Sequence, residues 1–311
     1  MTSTVSVRPY HSTDLEPVLD LLRASLGESE VNRRSPELFG WKHVDNPFGP
    51  SIMLVAEDDL GIVGFRAFMR WELATVDGAG IRCVRPVDTA THPRAQRRGI
   101  FRTLTMEAVE AARLDGVDLI FNTPNPRSKA GYLTMGWVEV GRIGVLLRPK
   151  TSALIGRRAG VPSLPGSAPW NDQETTDRPP LGLRTLRTPE YLGWRFRHPF
   201  ASYLVACRPE GLAVLRANRR NGRRELVVAD LFGSKAGPVL RQAAYNASAD
   251  YLIGWFGPGT PERRQAISAG MLPVPGVTAL TLVARPLRDE LAWAGADLGR
   301  WDLTLSDLEL L

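Results

Sequence analysis

The length, composition and charge of this chain exclude several kinds of protein before any motif is considered. Its 311 residues suggest two domains rather than one, and no run of about 18 apolar residues is present that would span a membrane. The net charge is +6, but the basic residues are dispersed and do not alternate with aromatic ones, so we expect no nucleic-acid partner.

Cysteine and histidine content bears on metals, redox state and location. The two cysteines, Cys83 and Cys207, lie far apart, and the four histidines form no metal-binding spacing. We therefore expect no disulfide, no metal and a reducing cytoplasm. The amino terminus lacks a basic segment followed by a long apolar run, so we also expect no signal peptide.

The first predicted elements begin with a sequence segment that is repeated later in the chain. Ser35–Phe48 contains the sequence Pro-Glu-x-x-Gly-Trp, and Thr188–Phe200 contains it again. Two apolar strands follow each copy, at residues 52–56 and 61–65 and again at 203–206 and 211–215. Because both copies keep the tryptophan, we interpret Trp41 and Trp194 as core residues rather than as substrate contacts.

A predicted strand that ends near Pro93 is followed by a glycine turn and a helix. Residues 96–101 read Gln-Arg-Arg-Gly-Ile-Phe. Apolar residues then recur with helical spacing at Phe101, Leu104, Ala108, Ala111 and Leu114. Asp115-Gly116 ends the pattern, as a glycine after a helix does. A turn of this kind presents the unpaired N–H groups of a helix amino terminus to an anion.

Four arginines surround that turn, at Arg94, Arg97, Arg98 and Arg102. Cations oppose the dipole of a helix amino terminus by roughly 0.3–1 kcal/mol each, so their presence indicates that a ligand brings negative charge. A pyrophosphate fits, and Gly99 permits its close approach because glycine has no Cβ. The alternative is a solvated arginine cluster, which the strand before and the helix after the turn disfavour.

A second motif follows a short predicted strand at Asp118–Asn122. It reads Asn125-Pro-Arg-Ser-Lys-Ala-Gly-Tyr-Leu-Thr-Met-Gly-Trp137. Together with the glycine turn, it resembles the GNAT superfamily of acyl-CoA-dependent N-acyltransferases. The motifs of that superfamily are Gln/Arg-x-x-Gly-x-Gly/Ala and then roughly Asn-x-x-Ala-x-x-x-Tyr-x-x-x-Gly-Phe. This chain departs from them at Phe101, Ser128 and Trp137.

The resemblance implies a co-substrate and its site. Acetyl-CoA, or another acyl-CoA, is expected to bind at Thr89, Ala90, Thr91, Gln96, Arg97, Arg98, Gly99, Ile100, Phe101, Arg102, Asn125 and Ser128. The resemblance also implies that Tyr132 protonates the leaving sulfur, since a phenol keeps its proton at neutral pH. Many members carry a glutamate base three residues before Asp88, where this chain has Arg85. Asp88 is the second candidate catalytic residue, with a turn-capping role as the alternative.

The rest of the chain repeats the plan of the first half without its motifs. Gly233–Pro238 lacks the spacing of the glycine turn, and no tyrosine occupies the matching place before Gly270. We expect an α/β fold of two tandem GNAT-like domains, each a central mixed sheet flanked by helices. Residues 1–149 are predicted to be catalytic and residues 183–311 a degenerate copy, with residues 150–182, rich in proline, glycine and serine, as a linker.

These observations predict an acyl-CoA-dependent N-acyltransferase that acts on a small-molecule amine by direct transfer in a ternary complex. We expect a monomer or a homodimer with no membrane partner. Two alternatives stay open. One is an aminoacyl transferase of the Fem type, which uses aminoacyl-tRNA, and the other is a non-catalytic binding protein with a GNAT shell. The intact coenzyme motif disfavours the first, while Phe101 and Arg85 keep the second open.

Overall fold

A computed structural model describes residues 4–149 and 178–308 and joins its strands in one mixed sheet. The strands are β1 (Ser6–Pro9), β2 (Ile52–Asp58), β3 (Gly61–Ala74), β4 (Gly80–Thr91), β5 (Leu119–Asn122), β6 (Val138–Pro149), β7 (Arg184–Thr185), β8 (Tyr203–Arg208), β9 (Gly211–Arg220), β10 (Arg223–Phe232), β11 (Tyr251–Gly254) and β12 (Leu272–Pro286). The α-helices are α1 (Leu15–Leu26), α2 (Pro36–His43), α3 (Ile100–Leu114), α4 (Pro126–Thr134), α5 (Pro189–Phe196), α6 (Ala236–Asn246), α7 (Pro261–Ser268) and α8 (Leu305–Leu308).

Four helices begin with the same local arrangement. The capping side chain accepts a hydrogen bond from the backbone N–H three residues further on, and a proline follows it directly, at Ser35, Asn125, Thr188 and Thr260. Proline suits this position because its missing N–H is one that the first turn of a helix leaves unpaired. The repeated sequence Pro-Glu-x-x-Gly-Trp forms a helix in both halves, α2 and α5.

The two halves of the chain exchange their last strands. The order across the sheet is β1-β2-β3-β4-β5-β12-β6-β11-β10-β9-β8, and β7 pairs with β3 beside this path. Strand β12 pairs with β5 of the first half, β6 pairs with β11 of the second, and β6 and β12 pair with each other. The predicted mixed α/β fold is confirmed, but one continuous sheet replaces the two separate sheets expected. Strands β6 and β12, of 12 and 15 residues, each pair with a neighbour on both sides. The sheet therefore has no unpaired strand edge where the two halves meet.

The order of elements in the first half recurs in the second. The series β2-β3-β4-α3-β5-α4-β6 corresponds to β8-β9-β10-α6-β11-α7-β12. The division into domains and the origin of the second half as a degenerate copy stay predictions. Most of the predicted linker at residues 150–182 lies outside the described residues. In its described end, Arg178 pairs with Glu262 and Asp302, at 2.7 Å each.

Helix α3 covers the first half of the sheet with small and aliphatic side chains. Leu104, Ala108 and Ala112 are buried on this face. The helix predicted after Gly99 is confirmed, but Leu114, the last position of its apolar pattern, is 81% exposed and does not share the buried face. It follows Ala112 by two positions, a rotation of about 200°, and therefore faces away from the sheet.

The repeated tryptophans meet between the two halves. The rings of Trp41 and Trp194 stack with their centroids 4.7 Å apart and their planes at 14°. Each indole N–H donates to the backbone carbonyl of the other residue, at 3.0 and 2.8 Å. Both side chains are buried, which confirms that they are core residues. The repeated segment thus supplies both sides of one symmetric contact.

Three further features concern the described residues as a whole. Each helix among them is too short or too polar to span a lipid bilayer. The same residues contain no cluster of three or more His, Cys, Asp or Glu side chains arranged to bind a metal ion. Cys83 is buried and Cys207 exposed, and both are free thiols.

Candidate active site

The candidate active site is a cleft where strands β4 and β5 separate. The two strands pair in parallel for only two residues, ending at Val84 and Ile120. Beyond that point, a bulge in β4 places Asp88 and Thr89 opposite the single residue Arg66 of β3, with Asp88 at φ +43°. The β4 backbone that faces the opening of about 550 Å³ therefore has no strand partner. Such unpaired N–H and carbonyl groups suit an extended ligand.

Most residues predicted to bind or act on a coenzyme line this cleft. Those that the structure brings together are Asp88, Thr89, Ala90, Thr91, Gln96, Phe101, Asn125, Ser128 and Tyr132. A second group is exposed at the turn before α3 and does not line the cleft, namely Arg97, Arg98, Gly99 and Arg102. Ile100 is only 4% exposed, and its side chain belongs to the core beneath α3.

The turn before α3 has the backbone geometry of an anion site. Gly99 caps the helix at φ +77°, a left-handed conformation that favours glycine, and no side chain caps the helix. No atom lies within 4 Å of the position that a Cβ would occupy on Gly99. The first N–H groups of this 15-residue helix are therefore accessible to a ligand.

The arginines at the turn divide into two pairs. Arg94 donates two hydrogen bonds to Asp58, at 2.8 and 3.0 Å, and Arg98 lies 3.4 Å from the same carboxylate. The bonds from Arg94 lower the pKa of Asp58 to about 2. Among the described residues, Arg97 and Arg102 have no carboxylate partner, so no ion pair neutralises these two cations.

Tyr132, the predicted proton donor, lines the cleft. It lies on α4, which begins where Asn125 accepts a hydrogen bond from the N–H of Ser128 at 2.9 Å. The tyrosine is 3% exposed, and its hydroxyl accepts a hydrogen bond from Nη2 of Arg66 at 2.9 Å. Its ring meets Phe101 edge-on, with the centroids 5.6 Å apart. The contact with Phe101 and the bond from Arg66 fix the hydroxyl in the cleft.

Two residues of the site were missed by the sequence analysis. Arg66 on β3 is fully buried and also donates to the hydroxyl of Thr89. Asn122, at the end of β5, is 5% exposed and lines the cleft, and its Oδ1 has no partner among the described residues. A single charge within the apolar run 62–69 was the available sign that Arg66 has a special role. Asn122 carried no comparable sign.

Comparison with known proteins assigns the first half of the chain to a family. Residues 6–140 match the model of the acetyltransferase (GNAT) domain. This region is a GNAT domain. The protein is accordingly an acyltransferase, and the motifs around Gly99 and Tyr132 belong to that domain. A search of curated proteins finds no match to the chain.

Solved structures share the fold at low sequence identity. Eis1 from Mycobacterium abscessus aligns with a TM-score of 0.62 and 14% identity, over 94% of this chain and 76% of its own. A GCN5-related N-acetyltransferase from Kribbella flavida aligns with a TM-score of 0.60 and 14% identity, over 92% and 72%. The shared fold therefore extends beyond the GNAT domain into the second half of the chain.

Asp88 of the GNAT domain is held by three basic residues. Its oxygens accept hydrogen bonds from Arg34 and Lys42, at 2.9 Å each, and from Nε2 of His43 at 3.1 Å. Burial opposes ionisation, but Lys42, His43 and Arg34 outweigh it and hold the pKa of Asp88 well below its usual range. Burial lowers the pKa of His43, so its neutral ring donates to Asp88 and accepts from the hydroxyl of Ser51. These contacts favour a structural role for Asp88 at the bulge over the predicted catalytic role.

The same kind of ion pair recurs in the second half. Arg187 precedes α5 as Arg34 precedes α2, and it lies 3.0 Å from Asp230 of β10. The pairing of β10 with β9 also shifts register at Asp230. An arginine–aspartate pair at a strand bulge is therefore a shared feature of both halves, although the second half lacks the tyrosine. This recurrence supports the structural role of Asp88.

The gap that corresponds to the cleft is filled in the second half by the carboxyl-terminal segment. Gly257 donates its N–H to the carbonyl of Leu303 at 2.8 Å, and Leu305 donates to the carbonyl of Trp255 at 3.0 Å. Residues 301–308 are buried throughout. The segment thus occupies the space at the carboxyl ends of β10 and β11, and the GNAT domain holds the open cleft.

Arg85 on β4 of the GNAT domain contributes no base to the cleft. Its guanidinium donates to the backbone carbonyls of Asp307 and Leu308 and lies over the rings of Trp71 and Phe121. Burial lowers the pKa of Arg85 to about 10, so it remains a cation at neutral pH. Its contacts anchor the carboxyl-terminal segment to the first half of the molecule.

Proposed function

We propose that this protein transfers an acyl group, in the simplest case acetyl, from coenzyme A to the amine of a small molecule. Both substrates bind together and transfer is direct. The observation that carries the proposal is the hydroxyl of Tyr132, held in a cleft whose opposite wall is the bulged, unpaired edge of β4. A proton donor beside backbone hydrogen-bond donors is what the aminolysis of a thioester uses.

The residues present fit such a co-substrate along its length. Arg97, Arg102 and the amino terminus of α3 supply positive charge and N–H donors for a pyrophosphate. The unpaired backbone of β4 at Thr89 and Ala90 supplies hydrogen-bond partners for an extended chain with amide groups. The buried Oδ1 of Asn122, which has no partner among the described residues, accepts a hydrogen bond from an N–H of a bound substrate.

The proposed chemistry needs one acid from the protein. The thioester supplies an activated carbonyl, which the amine nitrogen attacks. The C–S bond breaks with its electron pair on sulfur, and Tyr132 gives its proton to that sulfur, while backbone N–H groups of β4 stabilise the carbonyl oxygen. Asp88 is the one carboxylate among the described residues that line the cleft, and both of its oxygens are engaged. The amine therefore enters as the free base and loses its proton to water.

Calorimetric titration with acetyl-CoA tests the coenzyme assignment. We expect the wild-type protein to bind and the Gly99→Glu variant not to bind, because the new side chain places bulk and negative charge at the anion site. Gly259→Glu is the matched control. Gly259 shares with Gly99 a left-handed φ, +78°, and open space around its Cβ position, and it lies in the second half, one residue before the cap of α7.

Two outcomes would contradict the proposal. Absence of binding to the wild-type protein would overturn the coenzyme assignment and direct the search to aminoacyl-tRNA as the donor. Equal loss of acetyl-CoA binding in the Gly99→Glu and Gly259→Glu variants would show that the substitution acts through the fold rather than through the anion site. If binding depends on Gly99 alone, a panel of small amines, scored by thiol release, identifies the acceptor class.

A further inference from the structure

We propose that Arg66 is a positioning residue for acyl transfer. Its guanidinium directs the proton of Tyr132 towards the leaving sulfur and stabilises the negative charge that develops when this proton is given up. The inference rests on the proposed function and deepens it by assigning a role to a residue outside both sequence motifs.

Arg66 is a buried cation without a carboxylate. Its side chain is 0% exposed in the middle of β3. No ion pair among the described residues includes it, whereas the buried Arg34 and Arg187 each contact an aspartate, at 2.9 and 3.0 Å. A buried charge that lacks a counter-charge is unfavourable for folding, so an arginine at this position calls for a reason other than stability.

The hydrogen bonds of Arg66 and two of its three ring contacts are to residues that line the cleft. Nη2 donates to the hydroxyl of Tyr132 at 2.9 Å, and Nη1 donates to the hydroxyl of Thr89 in the bulge. Nε is buried and has no acceptor among the described residues. The rings of Phe68, Phe101 and Tyr132 surround the guanidinium, with centroids 5.1, 5.5 and 5.3 Å from Cζ. Aromatic faces make a buried cation less unfavourable but carry no net charge to neutralise it.

The direction of the hydrogen bond determines where the tyrosine proton points. A guanidinium has donors only, so the oxygen of Tyr132 accepts from Arg66 and its own O–H is left for another acceptor. In the proposed reaction this acceptor is the sulfur, which holds the electron pair of the broken C–S bond. The phenolate oxygen formed by proton transfer lies 2.9 Å from the guanidinium, which supplies its counter-charge. The proton that the nitrogen loses returns to the phenolate through water, so both residues end the cycle unchanged.

Substitution of Arg66 by methionine tests the proposal, because methionine fills similar space without charge. We expect Arg66→Met to lower kcat about 100-fold, as loss of assistance to a general acid does, while KM and the Kd for acetyl-CoA change by less than about 2-fold. Tyr132→Phe should lower kcat to a similar extent. The double variant should be no slower than Tyr132→Phe, because Arg66 acts through the hydroxyl. Arg66→Lys should recover part of the lost rate because it keeps the charge.

Arg216→Met is the matched control. Arg216 occupies the same position on β9 that Arg66 occupies on β3, counted from Gly211 and Gly61, and it is 4% exposed. The second half has no tyrosine to match Tyr132, so we expect this variant to lower the unfolding temperature and to leave kcat unchanged.

Binding of the product gives a readout that does not depend on turnover. Calorimetry in two buffers of different ionisation enthalpy measures the protons released when the free thiol of coenzyme A binds. On binding coenzyme A, the wild-type protein should release more protons than the Arg66→Met variant. On binding acetyl-CoA, which has no thiol, the two proteins should release equal numbers of protons.

Three results would overturn the inference alone while the wild-type protein binds acetyl-CoA and turns over. The first is full activity of Arg66→Met. The second is a loss of kcat in the double variant equal to the product of the losses in the two single variants. The third is equal proton release by the wild-type protein and Arg66→Met when coenzyme A binds. A wild-type protein that does not bind acetyl-CoA would instead overturn the proposed function.

Discussion

At the scale of single residues, the surroundings of a charged group decide its role in this molecule. Asp88 and Arg66 lie on neighbouring strands at the same bulge, yet Asp88 meets three basic residues and Arg66 meets none that is acidic among the described residues. The carboxylate is therefore neutralised and links β4 to α2 and the loop before it, whereas the guanidinium keeps its charge for the hydroxyl of Tyr132. The sequence shows that both residues are present, but not which partners neutralise them.

The pH dependence of turnover should follow the acceptor amine rather than Asp88. The basic residues around Asp88 outweigh its burial and keep its pKa well below the usual range, so it stays ionised at neutral and mildly acidic pH. Only the neutral amine attacks, so kcat/KM should rise with pH up to the pKa of the acceptor. Profiles with two acceptors of different amine pKa check this, because the acidic limb should move with the acceptor. A limb at the same pH for both acceptors would point to a group on the protein instead.

At the scale of elements, features with a local cause could be predicted from the sequence. The glycine turn, α3 and α4 follow from caps, spacing and turn residues within a few positions of one another. The bulge in β4 and its contact with Arg66 depend on the pairing of β3 with β4, and the residues that neutralise Asp88 come from α2 and the loop before it. No local pattern marks such contacts. The site was therefore predicted along one segment of the chain and missed on the strand beside it.

The cap of α4 should affect both stability and turnover. Asn125→Ala removes the side chain that accepts the N–H of Ser128, and a lost cap costs about 1 kcal/mol of unfolding free energy. We expect kcat to fall as well, because α4 carries Tyr132. Thr260→Ala is the matched control, since Thr260 caps α7 in the second half in the same way.

Urea denaturation and steady-state kinetics of the two cap variants provide the measurement. Both should lose similar stability, and Asn125→Ala alone should lose turnover. Equal turnover in the two variants would mean that the position of Tyr132 does not depend on the start of its helix.

At the scale of the whole molecule, the exchange of β6 and β12 joins into one sheet the two halves that the sequence predicted to have separate sheets. Repeats, composition and the proline-rich segment all favour two separate units, and the paired Trp41 and Trp194 agree with a repeated plan. An apolar strand, however, is compatible with more than one neighbour, so its sequence does not reveal on which side of the sheet it pairs. The single sheet was therefore not predictable from the patterns that predicted its strands.

The shared sheet should make the two halves unfold together. Strand β12 lies between β5 and β6, and β6 lies between β12 and β11, so neither half can open without breaking ladders in the other. Denaturant unfolding followed by tryptophan fluorescence and by far-ultraviolet circular dichroism should give coincident transitions. Two separated transitions would show that the halves are thermodynamically independent.

The exchanged strand also sets the order in which the active site is built during protein synthesis. Residue Phe121, on the strand that forms one wall of the cleft, pairs with Ala284. A nascent chain emerges from the ribosome with its amino terminus first, so this wall has no neighbour on that side until most of the chain has been translated. The first half is translated first, but its sheet is completed last. Until then it carries an unpaired strand edge of the kind that favours aggregation.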